Sequence, residues 1–418
     1  MTVAAGALSG AERVLDRCEQ LGRITSLDGA LERTYLSAEH ASANAVVGEW
    51  MREAGLEVRQ DAAGNLLGRR EGRAPGLPAL VLGSHLDTVT DAGKYDGMLG
   101  VLLGIEVADR LRADGAELPF ALEVVGFSDE EGTRFGNALS GSRAFAGQWD
   151  ESRYDLVDRK GMSLREAAVQ FGLDPDGFGA AGRRPEELIG YLEAHIEQGP
   201  QLEDQDRPLA VVSSIAAARR LALTVTGRAG HAGGTPYDRR RDALVGAAEI
   251  VVEIERICRA GGTIGTVGRI RAFPGGVNVV PGVARFSLDL RAASDEERDR
   301  AWDQIDAVAR EVCERRGLTW SVDEFYRADA VHCDPDFMTA ISAGVTAVDP
   351  GNEAPVLWSR AGHDGMAVAA IAPVAMLFVR CGNEGVSHSP EETVRADDVA
   401  VALDAFEHAV RAVAASRR

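Results

Sequence analysis

Lysine is nearly missing from this 418-residue chain: Lys94 and Lys160 are the only two, and arginine supplies almost all the positive charge. Acidic residues outnumber basic ones by 65 to 45, a formal net charge of −20. A chain so acidic lacks the basic face that non-specific nucleic-acid binding requires, so no nucleic-acid partner is expected. The same charge repels anionic substrates, and any anion site must therefore carry its own arginine. No apolar run reaches the roughly 18 residues of a spanning helix, which leaves no membrane partner. Glu12 and Arg13 arrive before any segment suited to a signal peptide, so the expected location is cytoplasmic. The five cysteines (Cys18, Cys258, Cys313, Cys333, Cys381) are odd in number, far apart and form no CxxC pair. That argues against a disulfide framework and a thiolate zinc cluster, and suits buried small hydrophobes. Internal repeats, low-complexity tracts and heptads are also missing.

What is there is an ordinary globular composition, 45% hydrophobic and 26% charged, long enough for two or three domains at about 150 residues each. In the first half, apolar runs at Leu80–Leu82 and Leu122–Val125 read as strands, separated by helical spacing from Leu99 to Leu111. Strands alternating with helices imply a parallel or mixed sheet covered on both faces. The middle differs. Leu221–Val225 and Ala284–Leu290 alternate as half-buried strands do, beside helical stretches at Asp242–Cys258 and Asp295–Arg316. After about Asp329 the first pattern returns, with a buried strand at Val374–Val379 and a final helix from Asp397. The expected fold is α/β: a large mixed-sheet domain, residues 1–212 and 329–418, interrupted by a small α+β domain, residues 213–328, with two helices on an antiparallel sheet.

Residues with metal-ligand chemistry gather at the ends of buried strands, where open α/β sheets place their ligands. His85 and Asp87 follow the first strand, with Asp96-Gly97 beyond; Asp87 is placed to orient the His85 imidazole, as a carboxylate behind a metal-bound histidine does. Asp129-Glu130-Glu131 follow the second strand, and three adjacent carboxylates repel one another unless a cation or a proton relieves them. His195 and His388 end two further segments. Two histidines and a carboxylate suffice for one catalytic zinc. Here His85, His195 and His388 stand beside Asp96 and Glu131, and five such ligands suit two divalent cations roughly 3.5–4 Å apart, one carboxylate bridging. Glu130 is left over to act as general base. These donors accept zinc, manganese, cobalt or nickel. The glycines from Gly97 to Gly104 lack the GxGxxG order, so nucleotide binding is not expected there. His40, His332 and His408 have no motif around them and read as structural.

Taken together, GSHLDTV (Gly83 to Val89), Asp96-Gly97, SDEEGTRF (Ser128 to Phe135), HIEQGP (His195 to Pro200), GRAGHAGGTP (Gly227 to Pro236), FPGGVNVVP (Phe273 to Pro281), LDLR (Leu288 to Arg291), AGHDG (Ala361 to Gly365) and GVSHSPEE (Gly385 to Glu392) carry a resemblance. The chain resembles the zinc-dependent amidohydrolase and aminopeptidase superfamily. Within it, the chain is most similar to the branch of N-carbamoyl-L-amino-acid hydrolases, allantoate amidohydrolases and β-ureidopropionases. The resemblance implies a metallohydrolase domain with an inserted lid and dimerisation domain, and two divalent metal ions per subunit on His85, Asp96, Glu131, His195 and His388, with Asp96 bridging. It implies Glu130 as catalytic base and Gln198, His231, Asn278 and Arg291 as substrate-binding residues. It further implies a homodimer in which His231 acts on the partner's active site. The substrate implied is a small ureido or carbamoyl amino acid. Segments such as GTVGRI (Gly265 to Ile270) lie closer to the L-carbamoylases than to the allantoate enzymes; a dipeptidase or N-acyl amino acid amidase is the more distant alternative. Arg360 stands where this branch usually has a small residue, and Gly234 where threonine is common. His363-Asp364 matches a motif of the branch without an evident role.

Overall fold

A computed structural model describes residues 9–417, which divide into two compact units: residues 9–213, 333–357 and 362–417, and residues 214–332 with 358–361. The second unit is a little larger than the insert the sequence pattern delimits. It keeps the short segments at 329–332 and 358–361, because chain pairing continues past the point where the hydrophobic periodicity changes.

The first unit carries the body of a nine-stranded mixed sheet. Its order runs Glu57–Gln60, Leu66–Arg70, Ala121–Phe127, Ala79–His85, Leu188–Ile196, Val374–Val379, Leu209–Ile215. The four strands from Ala121–Phe127 to Val374–Val379 are mutually parallel, and the outer pairings are antiparallel. Three of these parallel strands are buried at every residue, which is why they read as continuous apolar runs and not as alternating ones. The one charge inside Ala121–Phe127, Glu123, is neutralised by Arg69 at 2.7 Å and Arg183 at 2.8 Å.

The helix Met98–Ala113 crosses the sheet at contact distance. A side chain at Gly100 would place its Cβ 2.0 Å from the Ala194 carbonyl, and Gly97, at φ +73, leaves room for the His85 ring, whose atoms lie 2.4–2.5 Å from where a Cβ would stand. The glycines opening this helix thus serve close packing.

In the second unit, Ile270–Phe273, Val283–Ala292, Ala217–Thr226 and Thr319–Ala328 form an antiparallel sheet with Ile264–Thr266 beside Val283–Ala292. Helices Ala243–Gly261 and Asp295–Arg316 share its apolar core with Ala284, Phe286, Leu288 and Leu290. Strand period two then sends Asp289 and Arg291 to the opposite face. Thr319–Ala328 escaped the sequence reading because it is largely exposed and polar. Among the described residues no helix is long and apolar enough to cross a membrane.

Candidate active site

The four parallel strands end together, and each delivers donors. His85 is the last residue of Ala79–His85; Asp129, Glu130 and Glu131 follow Ala121–Phe127; His195 is next to last in Leu188–Ile196; His388 lies in the loop after Val374–Val379. Buried Arg33 steadies the first loop, donating to the carbonyls of Leu86 (2.7 Å) and Leu21 (2.8 Å). Asn65 steadies the second, accepting the Ser128 N–H at 3.0 Å.

Two of the donor groups meet at Asp96. Ligand atoms of His85, Asp96 and His195 lie within 4.8 Å of one another, and so do those of Asp96, Glu131 and His388. Asp96 Oδ1 is 3.5 Å from His85 Nε2 and 3.2 Å from His195 Nε2, while its Oδ2 is 3.3 Å from His388 Nε2. His388 Nε2 is also 3.2 Å from Glu131 Oε1. A third group joins His85, Glu130 and Glu131.

Tautomers test whether a cation suits the cluster. His85 Nδ1 is 3.0 Å from the Asp87 carbonyl and His195 Nδ1 is 2.9 Å from the Ile196 carbonyl. Carbonyls accept only, so both Nδ1 atoms carry hydrogen and both Nε2 atoms turn lone pairs toward Asp96. Two lone pairs facing a carboxylate oxygen repel it unless a positive charge stands between them. His195 Nε2 is buried and finds no hydrogen-bond partner among the described residues. The residues fit divalent cations.

The electrostatics agree. Asp96 and Glu131 push His388 up to about 10. Burial alone would raise Asp96, but positive charge at His195, His388 and His85, carried by protons where no cation is bound, outweighs it and holds Asp96 well below the carboxylate range. Glu130 goes the other way. Burial pushes it well above that range, reinforced by Glu131, Asp364 and Asp87 and opposed by His85. One acidic group kept basic beside one kept ionised is the division of labour a general base and a ligand need.

Asp87 departs from its expected part. Its backbone carbonyl, not its carboxylate, orients His85; the carboxylate oxygen is 3.6 Å from Nδ1. The carboxylate instead accepts the backbone N–H groups of Glu130 at 2.9 Å and Glu131 at 3.1 Å. The carbonyl lies nearer the ring than the carboxylate, whose two oxygens are engaged by these N–H groups.

Gln198 points its amide at the cluster, donating to Asp96 Oδ2 at 2.8 Å. Three non-glycine residues here sit at positive φ: Asp129 (+61), Gln198 (+54) and His388 (+55). Such strain gathers where side chains must be aimed. His363 and Asp364 are buried beneath the histidines, with the His363 ring 4.5 Å from that of His195, edge to face. Residues that the sequence reading passed over also belong to the site: Ser387 donates to Asp96 Oδ2 at 2.8 Å, and Ser84 donates to buried Glu193 at 2.7 Å. Adjacency to His388 and to His85 was the available signal for the serines.

In the second unit, His231 and Asn278 are brought side by side. Gly230–His231 pairs with Val279–Val280, and the Ala232 N–H donates to the Asn278 carbonyl at 2.9 Å. His231 Nδ1 accepts the Gly234 N–H at 3.0 Å, which leaves its Nε2–H as an exposed donor. A Cβ at Gly234 would come within 3.4 Å of His231 Nδ1, so the glycine gives the ring space. Arg291 grips Asp289 through Nε (2.8 Å) and Nη2 (3.2 Å) and donates from Nη1 to the Arg360 carbonyl at 2.6 Å. Three of its five N–H groups are thereby engaged, and one each on Nη1 and Nη2 remains for a ligand. Arg360 meets this network through its backbone, and its guanidinium lies over Trp358.

A parallel sheet whose strand ends converge buried histidines and carboxylates defines a metal-dependent hydrolase. The model of Peptidase family M20/M25/M40 matches residues 81–412, and the chain belongs to that family. It is 40% identical over 394 residues to an N-carbamoyl-L-amino-acid amidohydrolase of Pseudomonas sp. (strain NS671), covering 93% of this chain and 94% of that one. It is 38% identical to an allantoate deiminase of Arabidopsis thaliana, covering 94% and 80% respectively. A hydantoinase/carbamoylase family amidase from Burkholderia ambifaria superimposes with a TM-score of 0.88 at 31% identity, covering 97% of this chain and 98% of that one. The protein is a metal-dependent amidohydrolase of the carbamoylase type.

Proposed function

We propose that the protein hydrolyses the carbamoyl C–N bond of N-carbamoyl-L-amino acids, giving the L-amino acid, ammonia and carbon dioxide. The observation that carries this reading is the pair of donor groups sharing Asp96, with Glu130 beside them, in a chain similar over nearly its full length to N-carbamoyl-L-amino-acid amidohydrolases.

In this reading His85, Asp96 and His195 would hold one divalent cation, and Asp96, Glu131 and His388 would hold a second. Such cations would supply Lewis acidity toward the carbamoyl carbonyl and toward a water molecule. Glu130 takes the proton from that water and delivers it to the leaving nitrogen. His231 donates Nε2–H to the oxygen on which negative charge grows, a contribution of about 3–4 kcal/mol where comparable donors have been removed. Arg291 clamps the substrate carboxylate with its remaining Nη1 and Nη2 hydrogens, assisted by Asn278 and Gln198. The family resemblance favours a homodimer in which His231 serves the active site of the partner; His231 lies on the inserted unit and every proposed metal ligand on the other, and a subunit supplying its own His231 is the competing arrangement. Substrate is small, and the physiological metal is one of zinc, manganese, cobalt or nickel.

The similarity to allantoate deiminases supports a second reading, in which the ureido substrate is allantoate. Turnover of N-carbamoyl-L-amino acids, allantoate, N-carbamoyl-β-alanine, N-formyl amino acids and dipeptides by protein reloaded with each metal separates the two. Preference for the first class is expected; allantoate turned over with the highest kcat/KM replaces the proposal with the second reading.

A further inference from the structure

We infer that Glu392 is a positioning residue that fastens the Asp96 loop to the His388 loop and thereby sets the affinity for the cation held by Asp96, Glu131 and His388. The inference rests on the metal reading above. Glu392 is 2% exposed and belongs to none of the donor groups. Its Oε1 accepts two backbone N–H groups from the first loop, Tyr95 at 2.8 Å and Asp96 at 3.1 Å. Its Oε2 meets the Ser387 hydroxyl of the second loop at 2.8 Å. That hydroxyl is also 2.8 Å from Asp96 Oδ2. Glu392 thus holds Asp96 directly at its backbone, and shares with Asp96 Oδ2 the single hydrogen of the Ser387 hydroxyl.

Two further observations make the tie specific. Gly93 lies flat against the Glu392 side chain; a Cβ there would stand 2.3 Å from Oε1 and 2.5 Å from the Glu392 Cβ. The first loop is therefore shaped to receive this carboxylate. His388 has the opposite problem. Its side chain is 48% exposed and its backbone sits at φ +55, so packing alone does little to hold a strained ligand loop. The two loops are 291 residues apart at the Ser387–Asp96 contact, and such a separation needs a bond in the folded state to keep two ligands in register.

The experiment uses the 418-residue chain, stripped of metal and reloaded with Zn2+. Zinc per chain and its competition with a chromogenic chelator are read for wild type, Glu392→Leu, Glu392→Gln and Ser387→Ala, with thermal unfolding alongside. Leucine keeps the volume against Gly93 but leaves two buried N–H groups unmet. Glutamine restores the pattern, its carbonyl taking the two N–H groups and its amide donating to Ser387. Expected are two zinc ions in wild type, one of them held roughly 10–100-fold more weakly in Glu392→Leu, and wild-type affinity to within about threefold in Glu392→Gln. Ser387→Ala, which leaves the backbone bonds intact, should weaken the same ion and supplies the answer if Glu392→Leu does not fold. Unchanged zinc affinity in Glu392→Leu or Ser387→Ala overturns the inference, as does a glutamine variant as weak as leucine. Wild type that holds no zinc, manganese, cobalt or nickel instead removes the metal reading itself, a result the variants alone cannot produce.

Discussion

Asp87→Asn is a one-atom change that tests how Glu130, the proposed base, is held. The carboxylate is 2% exposed, and each oxygen accepts one backbone N–H, from Glu130 and from Glu131. Asparagine offers a single acceptor, so whichever way the amide turns, its NH2 confronts one of the two N–H groups. One buried donor is orphaned, at about 1–3 kcal/mol, and the surviving bond loses its charge assistance, worth about 1 kcal/mol more. Removing a negative charge next to Glu130 and Glu131 works in the opposite direction, but cations held as proposed would neutralise that repulsion, so the lost bonds win in the loaded protein. The net expectation is a loss of about 2–4 kcal/mol in urea unfolding of metal-loaded protein. Because Glu130 is released at its own backbone, a displacement of about 1 Å should also cost on the order of 100-fold in kcat. KM should change much less, since the substrate-binding residues are untouched. An asparagine variant with wild-type kcat and an unshifted urea midpoint would refute the claim that these two bonds position the base.

Glu130→Gln should retain its full complement of zinc and lose about 10²–10⁴-fold in kcat, measured as turnover per bound metal; normal turnover per metal would end the base assignment. Arg291→Lys loses a planar fork that bonds Asp289 and, as proposed, substrate; kcat/KM for carboxylate-bearing substrates should fall about 10–100-fold, against little change for an amidated analogue. Mixing inactive Glu130→Gln with inactive His231→Ala subunits should restore activity if His231 acts in trans, and recover nothing after verified subunit exchange if it acts in cis. Buried His40 accepts the Leu36 N–H at Nδ1, and burial lowers it from 6.5 to about 3. The folded state then resists protonation that the unfolded chain accepts, so this residue's share of stability is intact above pH 6.5 and lost as pH falls toward 3. Between pH 7 and pH 5 the loss is about 2 kcal/mol; His40→Phe should flatten the urea-unfolding pH profile by that amount, and an equally steep profile would locate the effect elsewhere.

The α/β class, the insert and the metal-ligating types were legible in the chain because each rests on a local pattern. Continuous apolar runs such as Val374–Val379 mark strands buried on both faces, and alternation in Ala284–Leu290 marks a sheet covered on one. Histidine and paired carboxylates directly after such runs fall at strand ends, where parallel sheets gather ligands. Polar edge strands such as Thr319–Ala328 carry no such pattern, and short connections such as 329–332 obey pairing and not periodicity.

The supports of the site were decided by tertiary structure alone. Nothing near Asp87 in sequence indicates that its carboxylate serves the Glu130 and Glu131 backbone, more than forty residues away. Glu392 closes the GVSHSPEE segment in sequence, but only folding sets it against Gly93 and the N–H of Asp96. A residue's chemical type and the element it ends are properties of the chain, so the sequence by itself determined which side chains can bind a cation. Which hydrogen bonds aim them depends on atoms that meet only when strands from distant segments are laid side by side.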